Sequence, residues 1–165
     1  IIDTNGTSIT KLTPGRSPKW SPDGKMIAYE HEDHVYVLGS NANNKTKLYD
    51  EPAKGAIWSP DGKKIAFRSG EIIIVDITGD NIINTGVEGN PEAWFSNGER
   101  LLFSSSDYIG IVNTDGSDMR TLVKTNTTYP EVALSPDNDM IYYTDTKTTQ
   151  SLLWATINRI DITHI

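Results

Sequence analysis

The chain has 165 residues, 36% of them hydrophobic and 22% charged, with 15 basic against 22 acidic side chains and a net charge of −7. That composition fits one folded domain rather than a disordered segment. Scattered Lys and Arg under a net negative charge argue against a nucleic-acid partner, the lack of cysteine excludes disulfides and thiolate metal sites, and no apolar run approaches the ~18 residues of a membrane span, so no membrane insertion is expected.

The chain opens on Ile1-Ile2-Asp3 rather than Met, as a trimmed or processed product would. Ile2-Asp3-Thr4-Asn5-Gly6 matches the close of a third strand further along, and Ser8–Leu12 then reads as a fourth strand. After the loop Thr13–Lys19 comes Trp-Ser-Pro-Asp-Gly-Lys at Trp20–Lys25, where Pro fixes φ, Asp bonds back to the backbone and Gly supplies a positive φ. This predicts a tight hairpin with a three-residue connection. The strands Met26–Glu30 and Val35–Leu38 follow, with His31-Glu32-Asp33-His34 between them.

The same hexapeptide recurs at Trp58–Lys63, in Ala56-Ile57-Trp58-Ser59 and its turn. Lys64–Phe67, the β-branched run Ile72–Val75 and the weaker Ile82–Asn84 complete four strands. Degraded copies stand at Trp94-Phe95-Ser96-Asn97-Gly98 and Leu134-Ser135-Pro136-Asp137-Asn138. The third repeat supplies Arg100–Ser104, Tyr108–Val112, an Asp115-Gly116 turn and Met119–Val123; the fourth supplies Met140–Thr144 and Thr156–Ile160. Leu152-Leu153-Trp154-Ala155 could open a helical turn, but no sustained 3.6-residue apolar period occurs and almost no helix is expected.

The copies begin at 20, 58, 94 and 134, thus 38, 36 and 40 residues apart, and a period near forty marks a repeat architecture. Four antiparallel strands per repeat make one blade of an all-β propeller. The repeats run approximately 13–49, 50–85, 86–123 and 124–165, with 1–12 the last strand of a preceding or closing blade. A lone blade has two apolar faces, so Trp20, Trp58 and Trp94 are expected between neighbours, with Leu134 making a looser seam. Sixteen strands would close a four-bladed ring if the first completed the last blade. The favoured alternative is an arc of a six- to eight-bladed ring, completed by further sequence or by a second copy.

The motif Trp-Ser-Pro-Asp-Gly-Lys-x-Ile-Ala-Phe/Tyr resembles the signature of TolB-like propellers, relatives of the WD-type repeat. Trp20–Tyr29 and Trp58–Phe67 match fully; Trp94–Phe103 lacks the Pro and has Asn97 for Asp, and Leu134–Tyr143 lacks the Trp and the Gly. The resemblance implies a protein-binding scaffold, non-catalytic and without a cofactor, commonly exported to the periplasm or beyond. Related propellers also regulate serine peptidases, an alternative in which the catalytic domain lies outside this chain.

Among candidate sites, His31 and His34 with Glu32 and Asp33 could ligate a metal of a propeller-borne lyase or hydrolase, though a hairpin tip explains them better. Asp3–Gly6 and Asn113–Gly116 faintly resemble calcium loops, but Pro14 and Lys124 stand where the bidentate acid belongs. No nucleophile elbow or phosphate loop occurs. Asp23, Asp61, Asn97 and Asp137, with Gly24, Gly62 and Gly98, recur with the repeat and so read as turn formers. The loops entering each first strand vary most and carry Arg16, Lys54, Glu88, Glu92 and Glu131. A protein or peptide partner is expected there, since scaffolds present function on loops.

Overall fold

The recurring hexapeptides fold as the turns between the first and second strands of successive sheets. In the computed structural model, residues 1, 5–7, 9–127, 130–149 and 152–163 are described, with side chains described outside 146–149 and 152–156. Ser21 Oγ donates to Asp23 Oδ1 (2.7 Å) and accepts from Met26 N (2.9 Å), while Lys25 N donates to the same carboxylate oxygen (3.1 Å). Ser59, Asp61, Lys63 and Lys64 repeat this geometry, as do Ser135, Asp137, Asp139 and Met140. In the third copy Phe95 replaces the serine, and Asn97 Oδ1 takes the amide of Glu99 (3.1 Å). The connection is wider than the expected three residues. It spans Ser21–Lys25, closed by the bond from Ser21 N to Met26 O (2.9 Å), and the third copy, with Phe95 in place of the serine, spans 95–99 in the same way, with Phe95 N donating to Arg100 O (3.0 Å).

Each turn opens an antiparallel meander. Blade one is β1 (Arg16–Trp20), β2 (Met26–His31), β3 (His34–Gly39) and the short β4 (Thr46–Lys47). Blade two is β5 (Lys54–Trp58), β6 (Lys64–Ser69), β7 (Glu71–Asp76) and β8 (Ile82–Glu88). Blade three is β9 (Asn90–Trp94), β10 (Arg100–Ser104), β11 (Tyr108–Asn113) and β12 (Arg120–Lys124). Blade four has, among the described residues, three strands, β13 (Val132–Leu134), β14 (Met140–Thr149) and β15 (Leu152–Asp161). The stretch 152–155 is therefore strand, not a helical turn. Pairing Thr149 with Leu152 extends the β14–β15 hairpin and satisfies its backbone groups in the ladder.

Register explains how blades stack. Directly paired residues share a face, since side chains alternate along a strand. One row therefore comprises Trp58, Ile65 and Val75, and its counterparts are Trp94, Leu101 and Val112, then Leu134, Ile141 and Ile160. Each row faces the preceding blade. Ile65, Phe67, Ile73 and Val75 pack on Ala28, Val35 and Val37 of blade one; Trp94, Leu101, Phe103 and Val112 pack on Ala66, Ile72 and Ile74 of blade two; Ile141 packs on Leu102, Ile109 and Ile111 of blade three.

The indoles lock these seams. Trp58 Nε1 donates to Lys19 O at 2.9 Å and Trp94 Nε1 to Ile57 O at 3.3 Å, in each case the carbonyl preceding the neighbouring blade's own tryptophan. Leu134 cannot donate, and the third seam is held instead by Asn138, whose side chain accepts from Ser96 N (3.1 Å) and donates to Ser96 Oγ (2.6 Å).

One expectation fails at blade one. Trp20 does not lie between blades: it is 52% exposed on the open face of blade one. The segment Ser8–Leu12, read as the last strand of a preceding or closing blade, lies partly outside the described residues. Among the described residues of that segment only Ile9 makes an isolated bridge, and Ile1 and Thr10 exchange backbone hydrogen bonds at 2.8 Å. The stretch 9–15 crosses blade one, with Gly15 so close to the Tyr29 ring that an added Cβ would meet it at 2.6 Å. Among the described residues no strand closes blade four onto blade one, and the four sheets make an arc.

Candidate functional site

The loops that enter each first strand lie at the same end of the blades as the hairpins between second and third strands. Backbone bonds join the two sets: Ala53 N donates to Asp33 O (2.7 Å) and Thr125 N to Asp107 O (2.7 Å). Rigid strands therefore hold segments of unlike sequence at one rim.

At this rim of blade one, Arg16 stands opposite Glu30 on the paired strand. Its Nε donates to Glu30 Oε2 and its Nη2 to Asp33 Oδ1, both at 3.0 Å, and these bonds raise the already high pKa of the guanidinium, the Glu30 bond most. Glu30 is buried, and its other oxygen accepts from Gly55 N at 2.8 Å, tying blade one to the entrance of blade two. Sequence reading passed Glu30 over as the end of a strand. The available signal was the matching position in the other repeats, Arg68, Ser104 and Thr144, which is polar every time.

Lys54 is exposed and pairs across the strands with Arg68, two cations directly opposed. Arg68 Nη1 donates to Asn90 Oδ1 at 3.4 Å. A groove of about 310 Å³ runs here, lined by Arg16, Asp33, Pro52, Ala53, Lys54, Arg68 and Gly70. Arg16 and Lys54 thus come together in one depression, and Glu88, Glu92 and Glu131 lie outside it. Glu88 is exposed opposite Glu71. Glu92 turns partly inward and accepts from Ser104 Oγ at 2.5 Å; burial pushes its carboxyl up, against the opposing pull of that bond. Glu131 is exposed, with its backbone amide donating to Thr144 Oγ1 at 3.0 Å.

The histidine cluster forms the turn between β2 and β3, where Glu32 and Asp33 adopt positive φ (47° and 59°). Both ring nitrogens of His34 face backbone carbonyls, Nδ1 that of Glu32 at 2.6 Å and Nε2 that of Asp50 at 3.0 Å. His31 Nε2 lies 3.7 Å from Glu32 Oε1 and its ring tilts against Tyr36. Among the described residues no three His, Cys, Asp or Glu side chains converge as a metal site. Asn113–Gly116 is a hairpin turn in which Asp115 Oδ1 accepts from the Ser117 amide and hydroxyl; the other calcium-like segment, at 3–6, lies partly outside the described residues.

The turn aspartates lie far from the groove. Asp23, Asp61 and Asp137 are held below the usual carboxylate range, first by the serine hydroxyl two residues before each and then by a backbone amide. Asp76, which receives Thr78 Oγ1 and Asn81 Nδ2, lies lower still.

No protein-family model matches the sequence, and no curated protein matches it. Solved structures do match. A TolB from Agrobacterium tumefaciens superposes with TM-score 0.68 at 22% identity, over 90% of this chain and 59% of that one. The fold is a TolB-like β-propeller. TolB from Acinetobacter baumannii gives TM-score 0.65 at 19% identity, over 93% of this chain and 43% of that one. An oligogalacturonate lyase from Vibrio parahaemolyticus gives 0.61 at 16% identity, over 78% and 45% respectively. The TolB-like blades described here thus span about half the length of the TolB structures they match.

Proposed function

We propose that this propeller segment is a non-catalytic module that binds a protein or peptide at its loop-bearing rim, with an acidic segment of the partner seated across Lys54 and Arg68. One observation carries the reading: two cations stand directly opposite each other on paired strands, beside a groove. Cations so placed can take the oxygens of a partner carboxylate in charge-assisted hydrogen bonds. Glu131 and Glu88 are exposed acids of the rim outside the groove and would deter a wrongly placed acidic ligand, while Asp33, which lines the groove, is engaged by Arg16. That a nidogen/laminin complex provides another match, at TM-score 0.62 and 14% identity, agrees with a binding role for the fold without specifying this partner.

A randomised peptide library selected on the immobilised chain tests the reading. Enriched sequences should carry Asp or Glu, their affinity should fall with added salt, and Lys54→Glu should weaken them about tenfold or more, the range of a rim charge contributing to a charge-assisted contact. Peptides that bind the Lys54→Glu variant as tightly as the parent sink the placement. So does binding that responds only to reversal of Glu92 and Glu131.

A further inference from the structure

One histidine at the rim has both ring nitrogens aimed at oxygens that can only accept. The β2–β3 hairpin turns through Glu32 and Asp33, both at positive φ (47° and 59°), and re-enters the sheet at His34. That tight reversal brings the Glu32 carbonyl to 2.6 Å from His34 Nδ1. On the other side of the ring, Nε2 lies 3.0 Å from the carbonyl of Asp50, in the connection from blade one to blade two. The residue is partly buried, and among the described residues its ring bonds to these two main-chain oxygens.

A neutral imidazole carries one N–H and one lone pair, whereas the imidazolium donates from both nitrogens. With the proton on Nδ1, the Nε2 lone pair opposes Asp50 O; with the proton on Nε2, the Nδ1 lone pair opposes Glu32 O. Either tautomer leaves one carbonyl facing an acceptor. Only the cation satisfies both, and it then bridges the hairpin tip of blade one to the connection that enters blade two. The two carbonyls do not titrate, and the charged groups on the surrounding elements have partners of their own or lie further off. Glu30 and Asp33 are held by Arg16 of β1, both at 3.0 Å, and Asp50 by Lys47 at 3.1 Å. Glu32 stands 3.7 Å from His31 Nε2, and Glu51 and Lys54 are exposed further along the connection.

This bridge sits where one wall of the rim groove is made. Leu48 N donates to Val35 O (3.0 Å) and Ala53 N to Asp33 O (2.7 Å), so the connection is stitched to blade one on both sides of Asp50. Just beyond Asp50, Pro52 and Ala53 line the groove together with Asp33. We propose that His34 is a proton-operated clasp: protonation of its ring ties Asp50 to the hairpin, fixes the Pro52–Ala53 wall, and strengthens binding of an acidic segment across Lys54 and Arg68. The last of these steps rests on the binding role proposed above; the first two do not. Histidine changes charge between about pH 5 and 8. The bridge is therefore complete at the acid end of that window, and one of its two bonds is lost as pH rises through it.

Amide hydrogen exchange on the free chain and titration with acetylated hexa-aspartate amide, each at about pH 5.5 and about pH 7.5, test the clasp and its consequence separately. Protection of Ala53, corrected for the intrinsic pH dependence of exchange, should be about fivefold greater at the lower pH, the worth of one hydrogen bond. In His34→Gln, neutral at both values, it should not change with pH. Hexa-aspartate should bind about fivefold more tightly at the lower pH to the parent and to His31→Gln, but not to His34→Gln. A gain in affinity without a change at Ala53 would come from the added charge alone and overturns the clasp. So does a gain that persists in His34→Gln. The nitrogen-15 spectrum of the parent decides without any variant: at about pH 5.5 both His34 ring N–H protons should be visible and protected from solvent, and their absence overturns the clasp. Hexa-aspartate binding that ignores Lys54→Glu counts against the binding role alone, since Ala53 protection still reads the clasp.

Discussion

Replacing Trp94 by alanine probes the seam between blades two and three where it is best formed. The indole is 8% exposed, sits in the cluster with Leu101, Phe103 and Val112, and donates to Ile57 O at 3.3 Å. Hiding about 200 Å² of tryptophan at about 25 cal/mol/Å² is worth about 5 kcal/mol. The denatured chain already hides part of that surface, which brings the figure to about 4 kcal/mol, inside the ~3–5 kcal/mol typical of such truncations. Trp94→Phe separates the two contributions: a ring still fills the seam but Ile57 O loses its donor, so the loss should be about 1–2 kcal/mol. Urea denaturation followed by circular dichroism reads both, and with a slope of about 2 kcal/mol per molar, Trp94→Ala should lower the midpoint by about 2 M. A shift below about 0.5 M would mean that the seam contributes little and that the blades stand by other means.

Glu30→Ala leaves the Gly55 amide without its acceptor across the first seam and should cost about 1–3 kcal/mol, with faster hydrogen exchange at Gly55 as the local readout; unchanged exchange there would refute the cross-blade role. Gly110→Val places a Cβ 2.7 Å from Phe103 Cζ and 2.8 Å from Arg120 O, so it should destabilise by about 1–3 kcal/mol, checked by the same denaturation. For Glu92 the folded carboxyl is raised by burial. Such a group contributes stability that is complete below its unfolded value near ~4.3 and is lost as pH rises through the folded value. Glu92→Gln, which can still accept from Ser104, should therefore melt higher than the parent at pH 7 and show a flatter profile between pH 4 and 7. A lower melting temperature at pH 7 would contradict this.

Much of the scaffold was legible because it is written several times. Pro, Asp and Gly recur at the same offset from each Trp, and a turn that needs all three can be read without knowing what surrounds it. The β-branched run Ile72–Val75 likewise announces a central strand. What escaped the sequence depends on neighbours. Trp20 is chemically the same residue as Trp58, but no described blade packs against it and it is 52% exposed. Ser8–Leu12 has the character of a strand, yet of its described residues only Ile9 makes a bridge. Glu30 looks like a surface acid until blade two brings the Gly55 amide against it. Variability in the sequence singled out Arg16 and Lys54 together with Glu88, Glu92 and Glu131, of which only the first two share the groove, while the opposition of Lys54 and Arg68 required the register, which a bulge between Lys54 and Ile57 shifts.

The substitution of leucine for tryptophan at 134 makes the clasps along the arc unequal. Two joints combine a large apolar wedge with a main-chain tether, whereas the last relies on an amide side chain reaching across an exposed turn. In a stack where each unit leans only on its neighbours, separation begins at the weakest joint. Transient detachment of the terminal leaf should therefore precede global melting, and proteolytic nicking or isotope uptake would report it first near Ser96 and Asn138.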